Sequence, residues 1–147
     1  MVRFWDTSAL IPVALDAPAS GAVRGLLTSD SRTVVWWVTP VECASAVARL
    51  RRDGAIDAAG EAHASRVLER LLALSDEVHA SASVRGQAIR LVRVHSLRAA
   101  DALQLGAALA WATGSPVGRE LVSLDERLRD AARREGFAVL PGPSARG

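Results

Sequence analysis

Val2-Arg3-Phe4-Trp5-Asp6-Thr7-Ser8-Ala9-Leu10-Ile11 is a β-like run that ends on an acid and turns at once into a helix start. Val2, Phe4 and Trp5 are residue types that favour strands. Thr7 and Ser8 bring hydroxyls and backbone N–H groups to a helix entry, where oxygen ligands and phosphates are easily held. Asp6 stands between Trp5 and the apolar Ala9-Leu10-Ile11, where a solvated surface charge is out of place. The same cadence returns at Leu121-Val122-Ser123-Leu124-Asp125-Glu126, an apolar run closed by an acid with a helical segment beyond it. Two strand–acid–helix units in one short chain point to an α/β fold with its acids on one rim.

Working outward, residues 2–6 form the first strand, with a helix starting near Ser8 and another over about 19–27. The β-branched and aromatic run 33–38 is the second strand; Trp36 and Trp37 point to its opposite faces, so at least one belongs to the core. Thr39-Pro40-Val41-Glu42 reads as a helix start, with Thr39 at the N-cap, Pro40 at N1 and Glu42 at N3 of a capping box. That helix reaches about Arg52 and a longer one covers about 57–74. A weak third strand at 77–80 precedes helices at about 83–94 and 98–112. A fourth strand at 121–124, a helix at 126–135 and a fifth strand at 138–140 complete the series. Strands alternating with helices imply a parallel sheet of about five strands covered on both faces. No repeat or linker divides the chain, so 1–140 is one domain and 141–147 a short tail.

Composition agrees with a globular domain: half of the 147 residues are hydrophobic, enough for one core and too few for two. The formal net charge is +2, and all 18 basic residues are Arg, a bias that genomic base composition alone would produce. With four acids committed to a metal, 18 arginines face 12 remaining acids, a balance of +6. An acidic pit in a basic surround suits an enzyme acting on a polyanion. The single cysteine, Cys43, excludes an intramolecular disulfide and sits on an apolar helix face as a core thiol, not a nucleophile. No apolar stretch approaches the ~20 residues of a membrane span, and Asp6, Pro12 and Asp16 interrupt any signal-peptide core. The expected location is the cytoplasm.

In open parallel sheets, ligands collect outside the carboxyl ends of the strands. Asp6, Glu42 and Asp125 should meet there, with Asp101 reaching the same rim from a helix. Crowded carboxylates raise one another's pKa, so such a group calls for a divalent cation and outlines a metal-dependent phosphodiesterase site. Asp6 is hard to dismiss, but the other three acids each have a plainer alternative. Glu42 can serve its capping box alone, and Asp125 can be a helix N-cap, as can Ser123 with Glu126 at N3. Asp101 belongs to a helix that is apolar nearly all round, whose one polar stripe is Arg98, Asp101 and Gln104. That stripe is either an exposed ridge or the one edge facing the site. Arg49 lies two turns beyond Glu42, with Arg51 and Arg52 near; they suit flanking phosphates or a solvated helix end equally. His63, His79 and His95 are scattered without metal-ligand spacing.

The chain resembles the PIN-domain ribonucleases, and among them the VapC-like toxins of type II toxin–antitoxin pairs. Four segments in order carry the resemblance: Phe4-Trp5-Asp6-Thr7-Ser8-Ala9-Leu10, Thr39-Pro40-Val41-Glu42, Leu97-Arg98-Ala99-Ala100-Asp101-Ala102-Leu103 and Leu121-Val122-Ser123-Leu124-Asp125-Glu126-Arg127-Leu128. It implies a three-layer α/β/α sandwich, and an endoribonuclease whose Asp6, Glu42, Asp101 and Asp125 bind Mg²⁺ or Mn²⁺ with the Ser8 hydroxyl close by. It also implies a homodimer, a VapB-like antitoxin that occupies the site, and products with a 5′-phosphate and a 3′-hydroxyl. Thr7, Ser8, Arg49 and Arg98 are the residues expected to meet the RNA. Departures are the bulky Trp5 beside Asp6 and the absence of Lys, which leaves phosphate contacts to Arg.

Hard oxygen ligands suit Mg²⁺ or Mn²⁺ and not zinc, and water activated by the ion needs no nucleophilic Ser or Cys. A phosphotransfer domain with Asp6 as acceptor would need a second acid where Ser8 stands, and a Lys that the chain lacks. A PIN-like fold kept only for binding or dimerisation would be expected to have lost one of the four acids.

Overall fold

Phe4 and Trp5 are neighbours in one strand and enter two different cores, because successive side chains leave a sheet on opposite faces. In a computed structural model that describes residues 2–17, 20–29 and 32–143, this strand, β1 (Arg3–Trp5), lies at the centre of a five-stranded, all-parallel sheet. Helices α1 (Thr7–Leu15) and α2 (Ser20–Ser29) lead to β2 (Thr33–Trp36), and α3 (Thr39–Arg52) and α4 (Ala58–Ala73) lead to β3 (Asp76–Val78). Then α5 (Ala82–Val94) and α6 (Ala99–Trp111) return to β4 (Glu120–Val122), and α7 (Glu126–Glu135) to β5 (Ala138–Leu140).

The strand order is β3-β2-β1-β4-β5, with Phe4 level with Val34 on one side and Leu121 on the other. The chain first winds outward from β1 and then resumes on its far side. Crossovers of one hand that run in opposite directions cover opposite faces. Accordingly Trp5, Val35 and Val122 pack with α1–α4, against Leu10, Val23, Cys43, Val47 and Leu68. Phe4, Val34, Trp36 and Leu121 pack with α5–α7, against Val84, Leu91, Leu105, Ala108 and Leu128. The result is the expected α/β/α sandwich with its sheet buried on both sides. Its β1/β4 junction is the topological switch point, outside which ligands bind in such sheets.

α6 is buried from Gln104 to Leu109. Its approach to α5 depends on Gly106, where a Cβ would stand 3.0 Å from the Val84 carbonyl oxygen and 3.2 Å from the Ala88 nitrogen. No single helix among the described residues is long and apolar enough to cross a membrane.

Three local expectations change. β2 ends at Trp36, so Trp36 is core (4% exposed) while Trp37 lies beyond the strand in a turn, 54% exposed. The edge strand β3 begins one residue earlier and is shorter than expected, and it is mostly exposed, which is why its hydrophobic signal was weak. The capping box does not form: α3 starts at Thr39, Val38 holds the cap position, and no side chain caps it. The Thr39 hydroxyl and the Glu42 carboxylate are both turned to Gln104 instead. Of the tail, Pro141 is anchored through its carbonyl, and residues 144–147 lie outside the described residues.

Candidate active site

β1 delivers Asp6 to the switch point, where its N–H continues the ladder to the Val122 carbonyl at 3.0 Å. The side chain then caps α1, facing the Ser8 N–H at 3.4 Å. Asp6 is 4% exposed, and its Oδ2 accepts the hydroxyls of Ser8 and Ser123, the latter at 3.0 Å. Each serine is in turn polarised from behind. Ser8 Oγ accepts the Leu124 N–H at 2.9 Å, and Ser123 Oγ accepts the Asp125 N–H at 3.1 Å. With a backbone donor on each oxygen, both hydroxyl protons are aimed at one carboxylate, and the β1–α1 and β4–α7 turns are stitched together. Burial pushes the Asp6 carboxyl up to about 6 against the pull of the two hydroxyls, and Asp101 adds to the rise.

Glu42 enters from the first turn of α3. Its Oε1 accepts the Gln104 amide at 2.9 Å, and the same Gln104 nitrogen lies 3.1 Å from each of the Thr7 and Thr39 hydroxyl oxygens. Gln104 is wholly buried, and its Oε1 has no hydrogen-bond partner among the described residues. Burial raises the Glu42 carboxyl to about 7, opposed by the Gln104 hydrogen bond and reinforced by the charges of Asp6 and Asp101.

Asp101, in the first turn of α6, is half-buried; burial and then the Asp125 charge raise its carboxyl, while Arg98 and Arg127 pull it down. Asp125 caps α7 by accepting the Leu128 N–H at 3.0 Å, which leaves its second oxygen free of that bond. The alternative cap, Ser123, is committed to Asp6. All four acids line one open cavity of about 640 Å³, together with Thr7, Ser8 and Arg49. Arg98 does not line it and acts on it through Asp101.

Among the described residues no three His, Cys, Asp or Glu side chains close on one point as a finished metal shell. The acids ring a pit instead. Their chemistry still fits a hard divalent cation: the ligands are all oxygen, they repel one another, and Mg²⁺ binds through one or two carboxylates while keeping several waters. Asp6, Glu42, Asp101 and Asp125 are the residues that could hold it.

Three residues support the site that the sequence did not place there: Gln104, Ser123 and Arg129. Arg129, on the second turn of α7, is 7% exposed and donates to the carbonyls of Ser123 at 2.7 Å, Leu140 at 3.2 Å and Pro141 at 2.7 Å. It closes the carboxyl ends of β4 and β5 and fixes the turn that carries Ser123 and Asp125. The remaining candidates fall elsewhere. His95 pairs with Glu135, neither His63 nor His79 lines the pit, and burial pushes the Cys43 thiol up to about 12.

A parallel sheet with acids gathered at its switch point defines a class, and the sequence profile of the PIN domain matches residues 3–134. The chain belongs to the PIN-domain family. It is similar to ribonuclease VapC45 of Mycobacterium tuberculosis, at 29% identity over 138 residues, 94% of each chain. In fold it is similar to Mycobacterium tuberculosis VapC20, described as a sarcin-ricin loop cleaving toxin, with a TM-score of 0.65, 17% identity and 94% and 97% of the two chains covered. It is equally similar to a chain of VapBC2 from Rickettsia felis, solved bound to a DNA fragment from their promoter, with a TM-score of 0.65, 13% identity and 95% and 97% coverage.

Proposed function

We propose that the chain is a Mg²⁺- or Mn²⁺-dependent endoribonuclease of the VapC kind, held in check by a VapB-like antitoxin. One observation carries the reading. Four carboxylates from four separate segments line one pit, and among the described residues Arg49 is the one cation in its lining. Half-buried charge of one sign is costly unless a cation joins it. The cation, when bound, lowers the pKa of water and stabilises the charge that develops on phosphate oxygens.

The chain's own residues do the rest. Asp6 presents one face of its carboxylate to the pit while Ser8 and Ser123 hold the other oxygen, so its direction is set before substrate arrives. Glu42 is held by Gln104 in the same way. Thr7, Ser8 and Arg49 line the cavity where RNA phosphates would lie, and Arg98 steers them from beside Asp101. With Cys43 buried and Ser8 donating to Asp6, neither is placed to attack phosphorus. Cleavage by water leaves a 5′-phosphate and a 3′-hydroxyl. A homodimer in the cytoplasm completes the reading. The exposed Ile89 and Val92 on α5, flanking a groove with Ala88 and Leu103, favour that surface for the second copy.

The test is incubation of antitoxin-free protein with total RNA and Mg²⁺ or Mn²⁺, beside EDTA and Asp6→Asn controls, with the fragment ends mapped. Discrete cuts lost in both controls are expected. A folded protein that neither cuts RNA nor binds metal by calorimetry would be a binding or dimerisation module.

A further inference from the structure

A second cavity, of about 200 Å³, opens between the carboxyl end of α5 and one face of α7 from its first turn to its last, and its polar lining is His95, Ser96, Arg127, Asp130 and Arg134. We propose that this pocket holds an RNA backbone phosphate flanking the scissile one, so that the strand crosses the acid pit between Arg49 on one side and Arg127 with Arg134 on the other. The proposal rests on the ribonuclease reading of the pit.

Three observations support it. Arg127 follows Asp125 by two residues, makes no ion pair or hydrogen bond among the described residues, and lies near enough to Asp101 to pull its carboxyl down. It therefore lines the pocket two residues beyond an acid that lines the pit. Among the described residues Arg134 is paired with Asp130 alone, at 3.2 Å, and both are largely exposed. Such a pair is worth little, and a phosphate can take the guanidinium in the stronger two-pronged mode. The wall behind them is fixed: His95 is bonded to Glu135 at 2.8 Å, and Glu135 also accepts Arg90. A ring of acids repels a polyanion until cations on both sides draw it in. Arg49 supplies one flank, and this pocket supplies the other.

The experiment separates binding from cleavage by using Asp6→Asn protein and a mixed-sequence single-stranded RNA oligonucleotide, followed by fluorescence anisotropy over a salt series. Arg127→Ala and Arg134→Ala should each weaken binding and flatten the log–log salt slope by about 0.7. Asp130→Asn, which removes the competing charge, should tighten binding, a gain that a merely structural role would not produce. Arg70→Ala, an exposed charge on α4, should do neither. In the Asp6 protein, Arg127→Ala should raise KM. A slope unmoved in both arginine variants or weaker binding by Asp130→Asn overturns the pocket. A slope that moves while the unaltered chain leaves RNA intact keeps the pocket and removes the ribonuclease reading.

Discussion

The acid pit has a closed half and an open half. In the closed half, Asp6 is gripped by two serines from separate turns, and Glu42 by a glutamine from across the sheet's rim. In the open half, Asp125 is bonded to its own helix, and Asp101 is balanced by the charges of Arg98 and Arg127. The first pair is positioned by tertiary partners and is costly to leave ionised. The second is positioned by local helix geometry and remains wet. On the metal-dependent function proposed above, a site divided this way would offer a cation one positioned side and one side free to adjust as substrate arrives.

The sharpest way to break the comparison is to discharge its closed half. Asp6→Asn should abolish cation-dependent cleavage, by more than about the ten- to hundredfold that a residue behind the ligands costs. It should also leave the metal-free protein as stable as before or more so, because a buried charge has gone while Asn can still accept both serine hydroxyls. Cleavage assays paired with thermal melts check both parts; a variant that unfolds would mean that Asp6 is structural first. Next in size is Gln104→Met, which keeps length and removes the amide behind Glu42. Metal affinity by calorimetry should fall about ten- to hundredfold with the fold kept. An unchanged affinity would make Gln104 a core residue only.

The outer frame of this division is legible in the sequence, and its inner support is not. Asp6 and Asp125 stand out because each closes an apolar run at a helix start, and both serve as N-caps. The alternation of Phe4 and Trp5 between two cores follows from the period of two in a strand. Gln104 was visible as part of a polar stripe, yet its partner Glu42 lies 62 residues away and no local pattern names it. Thr39 and Glu42 have the spacing of a capping box, and tertiary partners took both side chains. Arg129 looks like one more charge on a strongly amphipathic helix. It is buried because the carbonyls at the ends of β4 and β5 lack donors, a need that exists only after the sheet is assembled. Ser123 is hidden for the same reason: its hydroxyl is needed by Asp6, 117 residues earlier.

The closed half should also announce itself in the pH dependence of stability. The folded Asp6 carboxyl releases its proton at about 6 and Glu42 at about 7, both above the ordinary values of 3.8 and 4.5. Between the ordinary and the raised values the folded state holds protons that the unfolded chain has lost. Stability contributed by these groups is therefore present in acid and declines as pH rises from about 4 to 7. For Asp6 the decline amounts to at most about 3 kcal/mol. Melting of the metal-free protein should thus fall across that range beyond its background trend, and Asp6→Asn should flatten the fall. Saturating Mg²⁺ should restore stability above pH 7 more than at pH 5, since protons compete with the cation for the same oxygens. A melting curve that rises monotonically through this window in both proteins would contradict the assigned burial.

The smallest effect tests the open half. Asp125 has two duties that substitution can separate, because Asn caps a helix about as well as Asp, and Ala costs about 1 kcal/mol. Asp125→Ala should lower stability by about that amount and Asp125→Asn should not, which thermal melts resolve. If cleavage falls alike in both, the carboxylate charge is needed at the pit and the cap is a second use of the same side chain. If Asp125→Asn keeps its activity, Asp125 belongs to the helix alone. The open half then reduces to Asp101 and the arginines beside it, and the cation seat lies wholly between Asp6, Glu42 and Asp101.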